Sequence, residues 1–327
     1  MPLREQIDAL EGSLRALEGV SVERNVPLSR LTRFGVGGPA ALLVDCLKEE
    51  SFIEALSLSG QSWLPLEVLG DGTNVVVSDA GFPGVIVRYR ASGVTAAGPA
   101  VSVLAGTALQ ALVDFTIDRA LGGLETMTGI PGWVGAAIYG NAGAYGHSIA
   151  ERIRQVRCFD GTGVRILDGA SCRFQYRHSV FKDNKGWMVL AAELCLDAAG
   201  AEQLRRTAAD IRGIRDRKYP SQMRCAGSIF KNLFAADLPA EIASQVPGSA
   251  IREGKVASAW FLEQVGAKGM RCGDIQVAPY HANLLYNDGI GTAANLRALI
   301  EELKRRVVDR YGLLLEEEVQ YVGFPVT

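Results

Sequence analysis

The segment Phe174-Gln175-Tyr176-Arg177-His178-Ser179-Val180-Phe181-Lys182 crowds aromatic and cationic groups around hydroxyls. A guanidinium set there can hold a carboxylate through two parallel hydrogen bonds; a surface strand with solvated charges is the plainer alternative. Farther along, Cys225-Ala226-Gly227-Ser228-Ile229-Phe230-Lys231-Asn232 sets a serine behind small residues, where a bound substrate can reach its hydroxyl. It is not a hydrolase elbow. Ala226 and Phe230 stand where G-x-S-x-G requires glycine, and His147, His178 and His281 are each isolated in sequence. A serine in a turn is also a common structural device. The run Glu316-Glu317-Glu318 precedes Val319, Tyr321 and Val322. Strand alternation turns Glu318 and Gln320 to one face and Val319 and Tyr321 to the other, which offers a polar face to a cleft or merely a charged start to a strand. Neither H-E-x-x-H nor C-x-x-C occurs, so no catalytic metal is expected.

Two glycine-rich stretches add a second kind of chemistry. Residues 126–150 contain Gly129, Gly132, Gly135, Gly140, Gly143 and Gly146 but, before Glu151, no charged side chain. Leu69-Gly70-Asp71-Gly72-Thr73-Asn74 leads directly into Val75-Val76-Val77. Glycine lets the backbone take positive φ and approach a ligand, so that bare amides can face phosphate oxygens; tight turns in a core are the alternative. Gly35-Val36-Gly37-Gly38-Pro39-Ala40 nominally fits G-x-G-x-x-A, but the dinucleotide fingerprint needs a strand before it and a helix after it. Pro39 and the strand-like Ala41-Leu42-Leu43-Val44 follow instead, and no P-loop is present.

The elements that must position these groups are mixed. Leu3, Ile7, Leu10, Leu14 and Leu17 repeat at helical spacing, and Asp8, Glu11 and Arg15 break any signal-peptide core. A helix is expected from Thr107 as N-cap through Ala120, stopped by Gly122 and Gly123, and another from Thr292 to Gly312. A basic helical stretch over 205–218 should stop at Tyr219-Pro220. Between them lie short β-rich runs, Val75 to Val77, Val85 to Tyr89, Val101 to Leu104, Val156 to Phe159, Trp187 to Leu196 and Glu318 to Val322. The class is therefore α+β or mixed α/β. At about 150 residues per domain, 327 residues allow two or three domains, and composition shifts suggest cuts near 90 and 215.

Hydrophobic residues make up 48% of the chain and charged ones 21%, which excludes disorder, and no apolar run is long enough to span a bilayer. Thirty-four basic against 36 acidic side chains leave a net charge of −2, so neither nucleic acid nor an acidic membrane is an expected partner. Six widely spaced cysteines suggest neither a zinc cage nor a disulfide framework, and most read as reduced, buried fillers of a cytoplasmic protein.

Taken together, the pieces resemble the UDP-N-acetylenolpyruvoylglucosamine reductase family. They are Asn25 to Leu31, Thr32-Arg33-Phe34-Gly35-Val36-Gly37-Gly38-Pro39-Ala40, the 69–74 loop, Gly129-Ile130-Pro131-Gly132 through Gly135, Asn141-Ala142-Gly143-Ala144-Tyr145-Gly146, Tyr176-Arg177, Gly227 to Asn232 and Glu318-Val319, in that order. The resemblance runs from about Asn25 to Gly323 and rests on the ordered set. It implies two FAD-binding subdomains of the vanillyl-alcohol-oxidase/PCMH type, 1–90 and 91–214, and a C-terminal α+β UDP-sugar domain, 215–327. It implies an enzyme using non-covalent FAD and NADPH to reduce the enolpyruvyl ether of a UDP-sugar to UDP-N-acetylmuramate, a step of peptidoglycan synthesis on which cell shape and division depend. Hydride would pass from flavin N5 to C3, and a proton to C2.

The resemblance also assigns roles. Arg177 is similar to the arginine that polarises the substrate carboxylate, Ser228 to the general acid and Glu318 to the acidic partner. Thr32, Gly70, Gly72, Thr73, Asn74, Gly129, Ile130, Pro131, Gly132, Gly135, Ala136, Asn141, Ala142 and Gly143 fall on cofactor-binding positions, and Tyr145, Tyr176, Arg215 and Asn232 on substrate-side ones. Leu233, Ala136 and His178 depart from the commoner family residues, which affects local turns more than roles. Only 51 positions separate Arg177 from Ser228, so the chain resembles the short-loop subgroup without a lid tyrosine. A monomer or weak oligomer is expected. An FAD-dependent oxidase, with His147 as a conceivable flavin tether, and a non-catalytic nucleotide-sugar module stay open as alternatives.

Overall fold

The computed structural model describes residues 3–325; the ends of the first and third expected domains, 1–2 and 326–327, lie outside the described residues. The chain forms two compact units. One comprises the described residues up to Val26, Ala40–Asp71 and Pro83–Pro220; the other comprises Pro27–Pro39, Gly72–Phe82 and the described residues from Ser221.

The first unit is built on two larger sheets. Strands Val20–Pro27, Pro39–Cys46, Phe82–Tyr89 and Leu66–Val68 lie in that order, the last two parallel with Leu66 opposite Val85. Helices Leu3–Arg15 and Glu49–Gln61 bury Leu10, Leu14, Phe52 and Leu56 among Val22, Leu42, Val44 and Val85. The second sheet is antiparallel throughout, in the order Val164–Asp168, Ile153–Phe159, Met188–Cys195, Ala100–Leu104 and Val94–Ala97. Alternation along Ala100–Leu104 buries Val101 and Val103 against Leu112, Val113 and Ile117 of helix Leu109–Asp118 and Val134 and Ile138 of helix Val134–Tyr139. The basic helix Ala201–Lys218 ends at Tyr219-Pro220, where proline forbids another turn.

The helix expected to begin with Thr107 as its cap begins one residue later, with Ala108 at the N-cap. The reason is tertiary: Thr107 Oγ1 accepts from Gly93 N–H at 3.0 Å, and the first helical amide, that of Leu109, donates to Gly132 O at 2.9 Å. The expected glycine stop is also displaced, since the helix ends at Asp118 and Ala120 takes the left-handed conformation, φ 57°.

Between the first sheet's inner strands, the buried Asp45 carboxylate accepts from Arg88 Nε and Nη2 at 2.5 and 2.6 Å and from Arg90 Nη1 at 2.8 Å. Charged hydrogen bonds shielded from water are individually strong. Asp45→Asn, which keeps the shape but loses the charge, should destabilise the protein by about 2 kcal/mol, read as a lowered urea midpoint at unchanged slope. All six cysteines are free; Cys46, Cys158, Cys172 and Cys225 are buried, whereas Cys272 is partly exposed and Cys195 exposed. Burial pushes the Cys46 and Cys172 thiols up to about 12, so both stay protonated and inert.

The second unit is assembled from small antiparallel sheets, Leu233–Phe234 with Lys255–Val256 and Ile251–Arg252, and Arg271–Cys272 with Ile275–Ala278 and His281–Asn287. Helices Ser258–Gln264 and Ala293–Tyr311 supply Phe261, Leu262, Leu296, Ile300 and Leu303 to its core. Thr292 caps the long helix as expected, accepting from Asn295 N–H at 3.1 Å in a capping box, and Gly312 closes it at φ 64°.

A boundary drawn along the chain cannot separate these units, because 27–39 and 72–82 are held by bonds to distant sequence. Strand Val75–Val77 pairs in parallel with Gln320–Val322. Asp79 accepts from Ala293 and Ala294 N–H, both at 2.8 Å, adding a carboxylate to the start of the long helix. Asn287 Nδ2 donates to Phe34 O at 3.0 Å. Gly35 to Gly38 lead into strand Pro39–Cys46 and not a helix.

Candidate active site

In the first unit the glycine-rich segments meet. A Cβ on Gly70 would lie 3.4 Å from Ala136 Cβ and 4.0 Å from Trp133 Cε3. Gly135 lets this segment close on the second sheet, its N–H donating to Ala105 O at 2.8 Å where a side chain would sit 2.9 Å from Ala105 Cβ. Gly129 takes φ 78° and donates to Gln110 Oε1 at 2.7 Å. A Cβ there would approach Arg215 Nε to 3.0 Å and Arg212 Nη1 to 3.4 Å, so two guanidinium groups of helix Ala201–Lys218 lie against this loop. Ile130 N–H is tied to Met127 O, and Pro131 carries no N–H. No described residue accepts from the amides of Gly132 and Trp133.

Asn141 is buried with φ 43°, and its amide faces inward, Nδ2 donating to Gln175 O at 2.8 Å and Oδ1 accepting from Ala150 N–H at 3.3 Å. It joins the glycine-rich segment to the arginine turn. Ala142 O accepts from Ile149 N–H, and Gly143-Ala144 pairs with His147-Ser148 around a two-residue turn. Tyr145 and Gly146 both take positive φ there, 54° and 86°, as a type I′ hairpin demands. Tyr145 is exposed at the tip. His147 Nδ1 lies 2.8 Å from Glu151 Oε2 on the exposed side of this hairpin.

Arg177 stands on a second tight turn. Gln175 and His178 exchange backbone bonds at 3.1 Å, leaving Tyr176 and Arg177 at the corner with Arg177 at φ 55°. Such a conformation is costly for a non-glycine residue and persists only where surroundings enforce it. Here Lys182 Nζ donates to Arg177 O at 2.9 Å, and Arg177 Nη2 donates to Gly143 O at 3.1 Å. The guanidinium carbon lies 5.2 Å from the Tyr176 ring centroid. Lys182 is therefore part of the support for Arg177, and only its place in the aromatic and cationic cluster hinted at it.

In the second unit, Gly72 has φ 68°, and any Cβ would collide with Leu31 O and stand 3.5 Å from Thr32 Cα. Only glycine fits. Thr32 is buried and donates its hydroxyl to Val36 O at 2.7 Å. No described residue accepts from the amides of Gly72, Thr73 and Asn74. Asn74 uses its side chain elsewhere, donating from Nδ2 to Glu318 O at 2.9 Å while its carbonyl accepts from Gln320 N–H at 3.0 Å.

Ser228 follows Gly227 at φ 79° and pairs across to Leu284. It is half-buried, and its hydroxyl has no partner among the described residues. Glu318 N–H donates to Ile229 O at 2.7 Å, which ties the glutamate to the peptide beside Ser228. The three consecutive acids diverge. Glu316 pairs with Lys231, Glu317 accepts from Lys304 Nζ at 3.0 Å and from Tyr321, and Glu318 is half-buried beside them. Val319 is buried as the alternation requires, but the regular strand covers only Gln320–Val322. Asn232 Oδ1 accepts from Ser258 N–H at 3.3 Å.

The turn at 72–74 and the turn at 132–133, one in each unit, present backbone donors with no acceptor among the described residues, as a phosphate oxygen would require. Among the described residues no group of three His, Cys, Asp or Glu is arranged to hold a metal.

The chain is similar to known proteins. A family model described as an FAD binding domain matches residues 40–167, and one described as the C-terminal domain of UDP-N-acetylenolpyruvoylglucosamine reductase matches 219–322. The chain is 54% identical over 310 residues to UDP-N-acetylenolpyruvoylglucosamine reductase of Solibacter usitatus, covering 95% of this chain and 99% of that one. The corresponding protein of Rubrobacter xylanophilus is 36% identical over 302 residues, 91% and 94% of the two chains. The crystal structure of UDP-N-acetylenolpyruvylglucosamine reductase from Thermus caldophilus superposes with a TM-score of 0.71 at 27% identity, covering 93% of this chain and 99% of that one.

Proposed function

Because the chain belongs to the UDP-N-acetylenolpyruvoylglucosamine reductase family, we propose that it reduces the enolpyruvyl ether of UDP-N-acetylglucosamine-enolpyruvate to UDP-N-acetylmuramate, consuming NADPH and a proton. The cofactor is FAD. Gly70, Gly72, Thr73, Asn74, Gly129, Gly132, Gly135, Ala136 and Gly143 are its proposed binding positions, supported in each unit by glycines that bare the backbone and, at 72–74 and 132, by amides that no described residue accepts from. Thr32, Ile130, Pro131, Asn141 and Ala142 shape the same turns. When bound, FAD reduced by NADPH supplies a hydride to C3 of the enol ether.

An enolpyruvyl ether is electron-rich, so hydride arrival at C3 builds negative charge on C2 and on the attached carboxylate. A fixed cation stabilises that charge more in the transition state than in the ground state. Arg177 takes this role, its planar guanidinium matching a carboxylate and its backbone pinned by Lys182. The carbanion formed at C2 is basic enough to take a proton from an ordinary alcohol, and Ser228 gives it. Glu318 orients these groups or restores the serine proton from solvent. Tyr145, Tyr176, Arg215 and Asn232 contact the UDP-sugar.

We further read the chain as three domains, 1–90, 91–214 and 215–327, the first two a flavin-binding pair of the vanillyl-alcohol-oxidase type; the separate clusters around Phe52 and around Leu112 support this division. The 51-position spacing supports the short-loop subgroup. Among the described residues no helix is long and apolar enough to cross a membrane, and a cytoplasmic monomer or weak oligomer drawing on soluble nucleotides fits the reaction.

The single observation that carries this reading is Ser228, whose hydroxyl has no partner among the described residues and whose neighbour Ile229 accepts from Glu318 N–H through its carbonyl. The test is a visible spectrum of the purified protein, anaerobic addition of NADPH, and then addition of the enolpyruvyl UDP-sugar. Yellow protein that bleaches and recovers its colour is expected. A colourless protein, or reduced flavin that only dioxygen reoxidises, would refute it, the latter in favour of an oxidase.

A further inference from the structure

We propose that Asn283 is a positioning residue for Ser228, its side-chain amide gripping the peptides that follow the serine. The inference rests on the reading of Ser228 as proton donor.

Asparagine is a poor strand former, and a buried amide must find partners. Asn283 nonetheless stands within strand His281–Asn287 and is 2% exposed. Its Oδ1 accepts from Phe230 N–H at 2.9 Å and from Ile229 N–H at 3.2 Å, and its Nδ2 donates to Phe230 O at 2.8 Å. The side chain thus pairs with Phe230 as a neighbouring peptide would, donor to acceptor and acceptor to donor. Its own carbonyl also accepts from Ile229 N–H at 3.2 Å, and its N–H donates to His281 Nδ1 at 3.2 Å.

Ser228 needs this support from its C-terminal side. Gly227 has no side chain, and a Cβ built on it would meet nothing within 4 Å, so packing there does not fix the serine. From Ile229 onward the chain is held on both edges: Asn283 on one, and on the other Glu318 N–H to Ile229 O at 2.7 Å with Lys231 N–H to Glu316 O at 2.9 Å. Asn283 Oδ1 therefore holds two successive peptides, the one that begins at Ser228 through Ile229 N–H and the next through Phe230 N–H, whose carbonyl, Ile229 O, accepts from Glu318. A proton donor must sit within hydrogen-bond reach of the carbon it protonates, and small displacements are expensive.

Asn283→Ala and Asn283→Asp, each alone and combined with Ser228→Ala, are to be compared by anaerobic stopped-flow and by hydrogen–deuterium exchange over residues 229–230. NADPH should bleach the flavin of Asn283→Ala at the unaltered rate. Reoxidation by the enolpyruvyl UDP-sugar should slow by roughly 10-fold to 100-fold, and exchange at 229–230 should accelerate. Asn283→Asp keeps the acceptor but loses the donor to Phe230 O, so it should fall between; it decides the matter alone if the alanine variant does not fold. Adding either change to Ser228→Ala should cost nothing further, because the positioned proton is already gone.

Unaltered reoxidation despite faster exchange would overturn the proposal. So would equal slowing of both half-reactions with loss of flavin, the mark of a merely structural asparagine. Normal reoxidation in Ser228→Ala would instead refute the donor reading, and the positioning role with it, whatever the exchange data show.

Discussion

Ser228→Ala should leave reduction of the bound flavin by NADPH intact and slow its reoxidation by the enolpyruvyl UDP-sugar by roughly 10²-fold or more, the scale of general-acid assistance. The asymmetry follows from the chemistry, since the first half-reaction needs no proton at C2 and the second ends with one. The substitution removes one oxygen atom at a half-buried position whose hydroxyl has no partner among the described residues. Folding loses no hydrogen bond, so flavin content and thermal midpoint should be unchanged, and the defect can be assigned to the proton. A cysteine at the same position, still able to donate, should recover part of the rate. Equal slowing of both half-reactions would remove Ser228 from the mechanism.

Arg177→Lys is expected to cost the same half-reaction roughly 10²-fold to 10³-fold, the range for deleting a preorganised donor at a developing negative charge. Lysine keeps the unit charge but presents a compact ammonium where a planar fork meets a carboxylate through two bonds. It also cannot reproduce the stack on Tyr176 or the bond from Nη2 to Gly143 O, 3.1 Å in length. The backbone constraint is separate. Arg177 takes φ 55° and its carbonyl is held by Lys182, so Lys182→Met should give a milder loss in the same half-reaction. If Arg177→Lys raised the KM for NADPH and left reoxidation untouched, the carboxylate role would be wrong.

How much of this was legible in the sequence depends on how far each interaction reaches along the chain. The loops at 70–74 and 129–143 announced themselves by composition, and Gly72 shows why: a side chain there meets Leu31 O. Asn74 and Asn141 read as cofactor residues from the resemblance, yet both side-chain amides bond within the fold, to Glu318 O and to Gln175 O. A motif does not reveal that these side chains are spent inside the fold. Asn283 carried no signal at all, since an asparagine in an apolar run looks like an interruption until its partners at 229 and 230 are known.

The sequence alone determined the local elements. Thr292 and Asn295 cap a helix three residues apart, Gly312 ends it, and Tyr219-Pro220 stops another, because each of these bonds and clashes closes within one turn. Tertiary structure decided where Thr107 spends its hydroxyl, which unit owns 27–39 and 72–82, and that Glu318 N–H bonds the carbonyl next to Ser228. Those outcomes depend on partners outside any local pattern, from Gly93 beside Thr107 to Asp79 with Ala293, 214 residues apart, and Val75 with Gln320. Contacts of that kind exist only after the chain has closed long loops, and no local pattern of residue types encodes them.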